Sequence, residues 1–204
     1  MKRSLPLLLG ALVLGAAWAG PLPALAGQSF AAHMLMHMAV VAVASPLLAL
    51  GLRRQLPGLT PTGPMLASLL DLVVVWAWHM PVLHEWARGG GGAMALEQAS
   101  FLVVGLLLWI SALAPPAENP GGSALAGSAA LFFTSMHMTL LGVLLALAPL
   151  PLFHAGHGMP PFDLSPAKDR EIGGILMLGI GGTVYLVGGL ILVAGILRLP
   201  DRRQ

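Results

Sequence analysis

Apolar runs of about twenty residues follow one another along this chain with hardly a charge inside them, which leaves it few ways to fold. A helix needs about 20 mostly apolar residues to cross roughly 30 Å of hydrocarbon. Six stretches meet or approach that length: Leu5–Ala26, Phe30–Leu52, Met65–Trp86, Met94–Ala114, Ala124–Leu150 and Ile172–Leu199. They lack the apolar-polar alternation of barrel strands. Arg53-Arg54-Gln55, Gly89–Gly92, Pro115-Pro116 and a long segment from Pro151 to Glu171 separate them. The expected fold is therefore all-α, a polytopic transmembrane helix bundle with about six spans.

Composition excludes the alternatives. With 57% hydrophobic and 9% charged residues, against roughly 25% charged in soluble domains, the chain cannot clothe a globular surface. Disorder fails for the same reason. Ten Lys and Arg stand against eight acids with no basic cluster, so no nucleic-acid partner is expected. Cysteine is absent, which removes disulfides, thiolate nucleophiles and thiolate metal sites. The organisation reads as a segment 1–26 followed by one helical membrane domain, 27–204. Segment 1–26 fits either a first span or a cleavable signal peptide, given Met1-Lys2-Arg3, the apolar run and Ala24-Leu25-Ala26. Cleavage would leave five spans.

Charge sets the expected orientation. With the N-terminus inside, cytoplasmic ends carry Lys2, Arg3, Arg53, Arg54, Arg198, Arg202 and Arg203, and the other side carries Arg88, Lys168 and Arg170. No histidine then falls in a cytoplasmic segment: six lie in the outer part of the bundle or in the outer loop, and His137 lies deeper, about halfway through the fifth span. His33 and His37 lie four apart at the start of the second span, on one helix face and roughly 6 Å from each other. They sit in Ala32-His33-Met34-Leu35-Met36-His37-Met38, and two further islands read His79-Met80-Pro81 and Met136-His137-Met138. The outer loop adds His154, His157 and Met159, while His84 lies near the outer end of the third span. Imidazole with thioether suits copper, above all the soft cuprous ion.

A single membrane histidine more often bonds a neighbouring helix, and methionine more often fills irregular packing. Three His–Met islands on one side of the membrane carry more weight than any one of them. The candidate metal ligands are His33, His37, His79, His137, Met34, Met38, Met138 and Glu97, with His154 and His157 in the loop. Glu97 reads equally as a ligand, or orienting group, and as an interfacial acid at a helix N-terminus. Asp71 is an intramembrane acid expected to face the bundle interior below the histidine layer. Pro81 should kink the third span just beyond His79. Gly174, Gly181, Gly188 and Gly195, spaced by seven, should let neighbouring helices approach closely. No His-Glu-x-x-His, Walker or Gly-x-Ser-x-Gly motif occurs, so the chain is not expected to be an enzyme.

The order of several segments resembles the CtaG-type cytochrome c oxidase assembly factors. These are the His33–Met38 island followed by Ser45-Pro46, Trp78-His79-Met80-Pro81, Leu96-Glu97-Gln98-Ala99-Ser100-Phe101 with Gly105 and Trp109, Leu141-Gly142, and Asp169-Arg170-Glu171-Ile172-Gly173-Gly174. Two positions depart from that pattern: Gln98, where the family often has His, and Arg170, where it often has Gln. The family also commonly carries an extra N-terminal span. The resemblance implies a bacterial cytoplasmic membrane protein that helps mature a haem–copper oxidase, with copper supply as the implied contribution. Its partners would be a terminal oxidase subunit or a copper donor protein. Two other readings stay open: a haem-binding membrane redox protein, with histidines such as His37 and His137 as axial ligands, and a copper or proton transporter using Asp71 as a relay.

Overall fold

The structure, a computed structural model, describes residues 4–52, 63–89, 91–113, 120–147 and 163–198, with the side chains of 120 and 121 left aside. Every secondary-structure element among them is helical. The helices are α1 (Ser4–Ala19), α2 (Leu22–Ala26), α3 (Phe30–Met38), α4 (Ser45–Leu52), α5 (Pro64–Trp78), α6 (Pro81–Gly89), α7 (Gly91–Ala112), α8 (Pro120–Leu147), α9 (Pro166–Leu176) and α10 (Thr183–Leu197). Wider π-helical turns over Ala39–Ala44 and Met177–Gly182 join α3 to α4 and α9 to α10.

Among the described residues, four helices are long and apolar enough to cross a membrane: Phe30–Leu52, Gly91–Ala112, Gly122–Leu147 and Pro166–Leu197. A fifth span exists if α5 and α6 count as one, bent by 73°. The first of the expected spans is shorter than anticipated, because Gly20 and Pro21 interrupt it and leave α1 with 16 residues. Pro21 cannot continue the hydrogen-bond ladder of α1. Even so, α1 packs on α4. A side chain at Gly10 would strike Leu48, and one at Gly51 would strike Leu7.

Two boundaries differ from the sequence reading for local reasons. The last span begins at Pro166, ahead of Ile172, because Ser165 caps it, its side chain accepting from the Lys168 amide, and Pro166 occupies the first turn. Lys168, Asp169, Arg170 and Glu171 therefore lie on a helix and not in a loop. The third span bends just beyond His79 as Pro81 implies, and the bend is a full break of the helix at His79 and Met80, ahead of Pro81. Pro81 has no N–H and its ring would collide with the carbonyl four residues back.

The span Phe30–Leu52 is central, with 56% of its most apolar window buried, whereas Pro166–Leu197 is peripheral, with 17%. Small residues allow that outer span to dock. A side chain on Gly174 would meet the Gly142 carbonyl and the Ala146 backbone, and one on Gly188 would meet Trp109 and Leu131. Gly195, the last of the seven-residue series, has open space beside it. Each π-helical turn gives up a backbone carbonyl to a side-chain hydroxyl. Ser45 Oγ donates to Val40 O at 2.9 Å, Tyr185 Oη to Val41 O at 3.2 Å, and Ser135 Oγ to Gly182 O at 2.8 Å. These bonds restore backbone pairing that the irregular turns weaken.

Candidate metal centre

The start of α3 carries the site and is anchored from a distance of 139 residues in sequence. The Phe30 amide donates to Asp169 Oδ2 at 2.6 Å, the Ala31 amide to Asp169 Oδ1 at 3.2 Å, and Ser29 Oγ to the same Oδ1 at 2.6 Å. Ser29 Oγ also accepts from the Ala32 amide. A carboxylate of α9 thus satisfies the free N–H groups of another helix and sits at the positive end of its dipole. Arg88 reaches over from α6 to donate to the Gly27 carbonyl at 3.0 Å.

One turn into α3, His33 Nε2 lies 3.1 Å from Glu97 Oε1. Glu97 lies near the start of α7, where its second oxygen accepts from Gln98 Nε2 at 3.3 Å. The His84 ring of α6 stands edge-on to His33, with centroids 4.9 Å apart. His33, His84 and Glu97 are all buried, and one ligand atom from each lies within 4.8 Å of the others. Two imidazoles and a carboxylate at that spacing can enclose one cation, whose charge the carboxylate would balance in an apolar surrounding.

A turn deeper, His37 stands edge-on to His79 at 5.4 Å and to Phe101 at 3.9 Å. His79 Nδ1 is 2.6 Å from the Val75 carbonyl, and its Nε2 is 3.4 Å from Met34 Sδ. His37, Met34 and His79 are buried. The structure therefore brings His33, His37, His79, Met34 and Glu97 together, all buried, with His33 and His37 on one face of α3 as their i, i+4 spacing implies.

The remaining expected ligands lie elsewhere or outside view. Met38 and Met138 are buried and converge over Gly181, where a side chain would meet both. His137 faces Asp71, with Nε2 to Oδ2 at 3.5 Å, between α8 and α5. Three residues earlier on each helix, Ser68 Oγ and Thr134 Oγ1 lie 2.6 Å apart, and Ser68 Oγ donates to the Ala130 carbonyl. The two rungs form a polar seam between these neighbouring helices. His154, His157 and Met159 lie outside the described residues.

Sequence reading left His84 out of the candidate set. Five residues beyond His79, it would point about 140° away on an unbroken helix. The 73° break at His79–Met80 turns α6 so that His84 meets His33. Pro81 was the available signal, and its consequence is a change of direction large enough to recruit a residue from the far face.

An apolar helical bundle with a buried imidazole–carboxylate group at one end is the class of molecule described so far. Residues 1–199 match the family model described as cytochrome c oxidase caa3 assembly factor. The chain belongs to this family, and membership points to a non-catalytic role. No curated protein and no solved structure matches it significantly.

Proposed function

We propose that this chain is a copper-binding assembly factor of the bacterial cytoplasmic membrane, with its histidine end extracytoplasmic, that helps metallate a haem–copper cytochrome c oxidase. One observation carries the reading: His33, His84 and Glu97 are buried together with their ligand atoms within 4.8 Å. A donor set of two nitrogens and one oxygen suits a borderline divalent cation, zinc included. Met34 Sδ, 3.4 Å from His79 Nε2 one turn deeper, favours copper over zinc as the ion handled at this end, because thioethers suit its soft cuprous form. Three protein ligands leave a coordination position open, through which a donor protein or an oxidase subunit can exchange the ion.

Haem binding has less support. His37 is packed against His79 and Phe101, and His137 against Asp71 and Phe133, so these two histidines do not form an axial pair in this arrangement. The test is metal analysis of the purified protein with its visible spectrum. Copper should be present, and His33→Ala with Glu97→Gln should lower its affinity about tenfold or more. Unchanged copper in that double variant rejects the centre, and a Soret band in the wild type replaces the copper reading with haem.

A further inference from the structure

We infer that His37, His79 and Met34 form a second cation station, selective for a soft monovalent ion, one helical turn deeper than the His33–His84–Glu97 group. The inference deepens the copper reading and rests on it.

The carbonyl of Val75 can only accept a hydrogen bond, so at 2.6 Å from it His79 Nδ1 carries the ring proton and donates. A neutral imidazole has one proton. His79 Nε2 is then a bare lone pair, and it faces the thioether of Met34 at 3.4 Å, which has no proton to give. Two electron-pair donors are aimed at one another in a buried place. Taking zinc's bond lengths as a guide, about 2.0 Å to nitrogen and about 2.3 Å to sulfur at near-tetrahedral angles, a cation bound by both donors holds them about 3.5 Å apart. The bond to Val75 is also the kind of outer contact that fixes the tautomer and direction of a metal-binding histidine.

His37 supplies the third donor. Its ring stands 5.4 Å from that of His79, and both its nitrogens are buried without a hydrogen-bond partner. Unsatisfied imidazole nitrogens are costly in an apolar interior unless something binds them. The station has no carboxylate of its own, so its two nitrogens and one sulfur match a singly charged soft ion. The neighbouring group, in which Glu97 adds a charged oxygen to two nitrogens, matches a doubly charged one. Sharing α3, the two stations are set to hold copper in different oxidation states.

The test uses the full chain in detergent with silver(I), a redox-inert stand-in for cuprous copper, as probe. Met34→Leu conserves volume closely. Wild type is expected to bind silver with a sulfur neighbour visible by X-ray absorption. Met34→Leu should lose one silver equivalent together with that neighbour, and Glu97→Gln should keep both. His79→Asn should repeat the loss seen with Met34→Leu. Silver bound by wild type without a sulfur neighbour, or unchanged in Met34→Leu, overturns the second station. If copper binding then still depends on His33 and Glu97, the preceding reading stands. A wild type that binds neither copper nor silver overturns both.

Discussion

Two regions of this bundle contain a buried histidine beside a carboxylate, yet their surroundings differ. His33 and Glu97 approach to 3.1 Å in the company of His84, Gln98 and the capped start of α3. His137 and Asp71 stand 3.5 Å apart, with the Ser68–Thr134 rung one turn away. The first group draws donors from α3, α6 and α7, so they converge from several directions on a point. The second joins two neighbouring helices along a line. Convergence is the arrangement that surrounds an ion, whereas a line of polar rungs ties helices together where there is no water to compete. A histidine–carboxylate contact is therefore not evidence of a metal site by itself; the number of elements contributing to it decides.

The contrast can be tested by substitutions with effects of decreasing size. Gln98→Ala removes the amide that steadies Glu97, and copper affinity measured by competition with a chelator should fall about 10–100-fold. An unchanged affinity would show that Glu97 needs no outer support. Asp169→Ala leaves Ser29 capping α3 but takes the acceptor from the Phe30 and Ala31 amides and the Ser29 hydroxyl. It should cost about 2 kcal/mol of stability in unfolding experiments in detergent. Because α3 carries both His33 and His37, copper affinity should drop with it. The smallest effect is expected at the other region, where Asp71→Asn should cost about 1 kcal/mol, in the range of interhelical polar contacts in membranes. Copper content there should match wild type. Copper lost from Asp71→Asn would merge the two regions into one pathway and revive a relay role for Asp71.

Legibility from the amino-acid chain varied with the range of the interactions involved. The apolar runs, their breaks and the shared face of His33 and His37 depend on local spacing, and they were readable. So were the family resemblance and the close approach at Gly174, Gly181 and Gly188. The role of Asp169 was not readable, because its partners Ser29, Phe30 and Ala31 lie about 140 residues away. Nor was the separation of His137 from the other histidines. A Met–His–Met island looks alike whether its ring turns toward an imidazole or toward Asp71.

Sequence by itself determined that this chain is a bundle of apolar helices and that His33 and His37 share one helix face. Helical periodicity and the length of an apolar run follow from the backbone and the bilayer, and no distant contact is needed to set them. Tertiary structure decided which histidines meet. The break before Pro81 brings His84 to His33, and the positions of α5 and α8 give His137 to Asp71. The direction of a side chain across a bundle depends on helix bends and rotations, and these arise from packing between segments far apart in the chain.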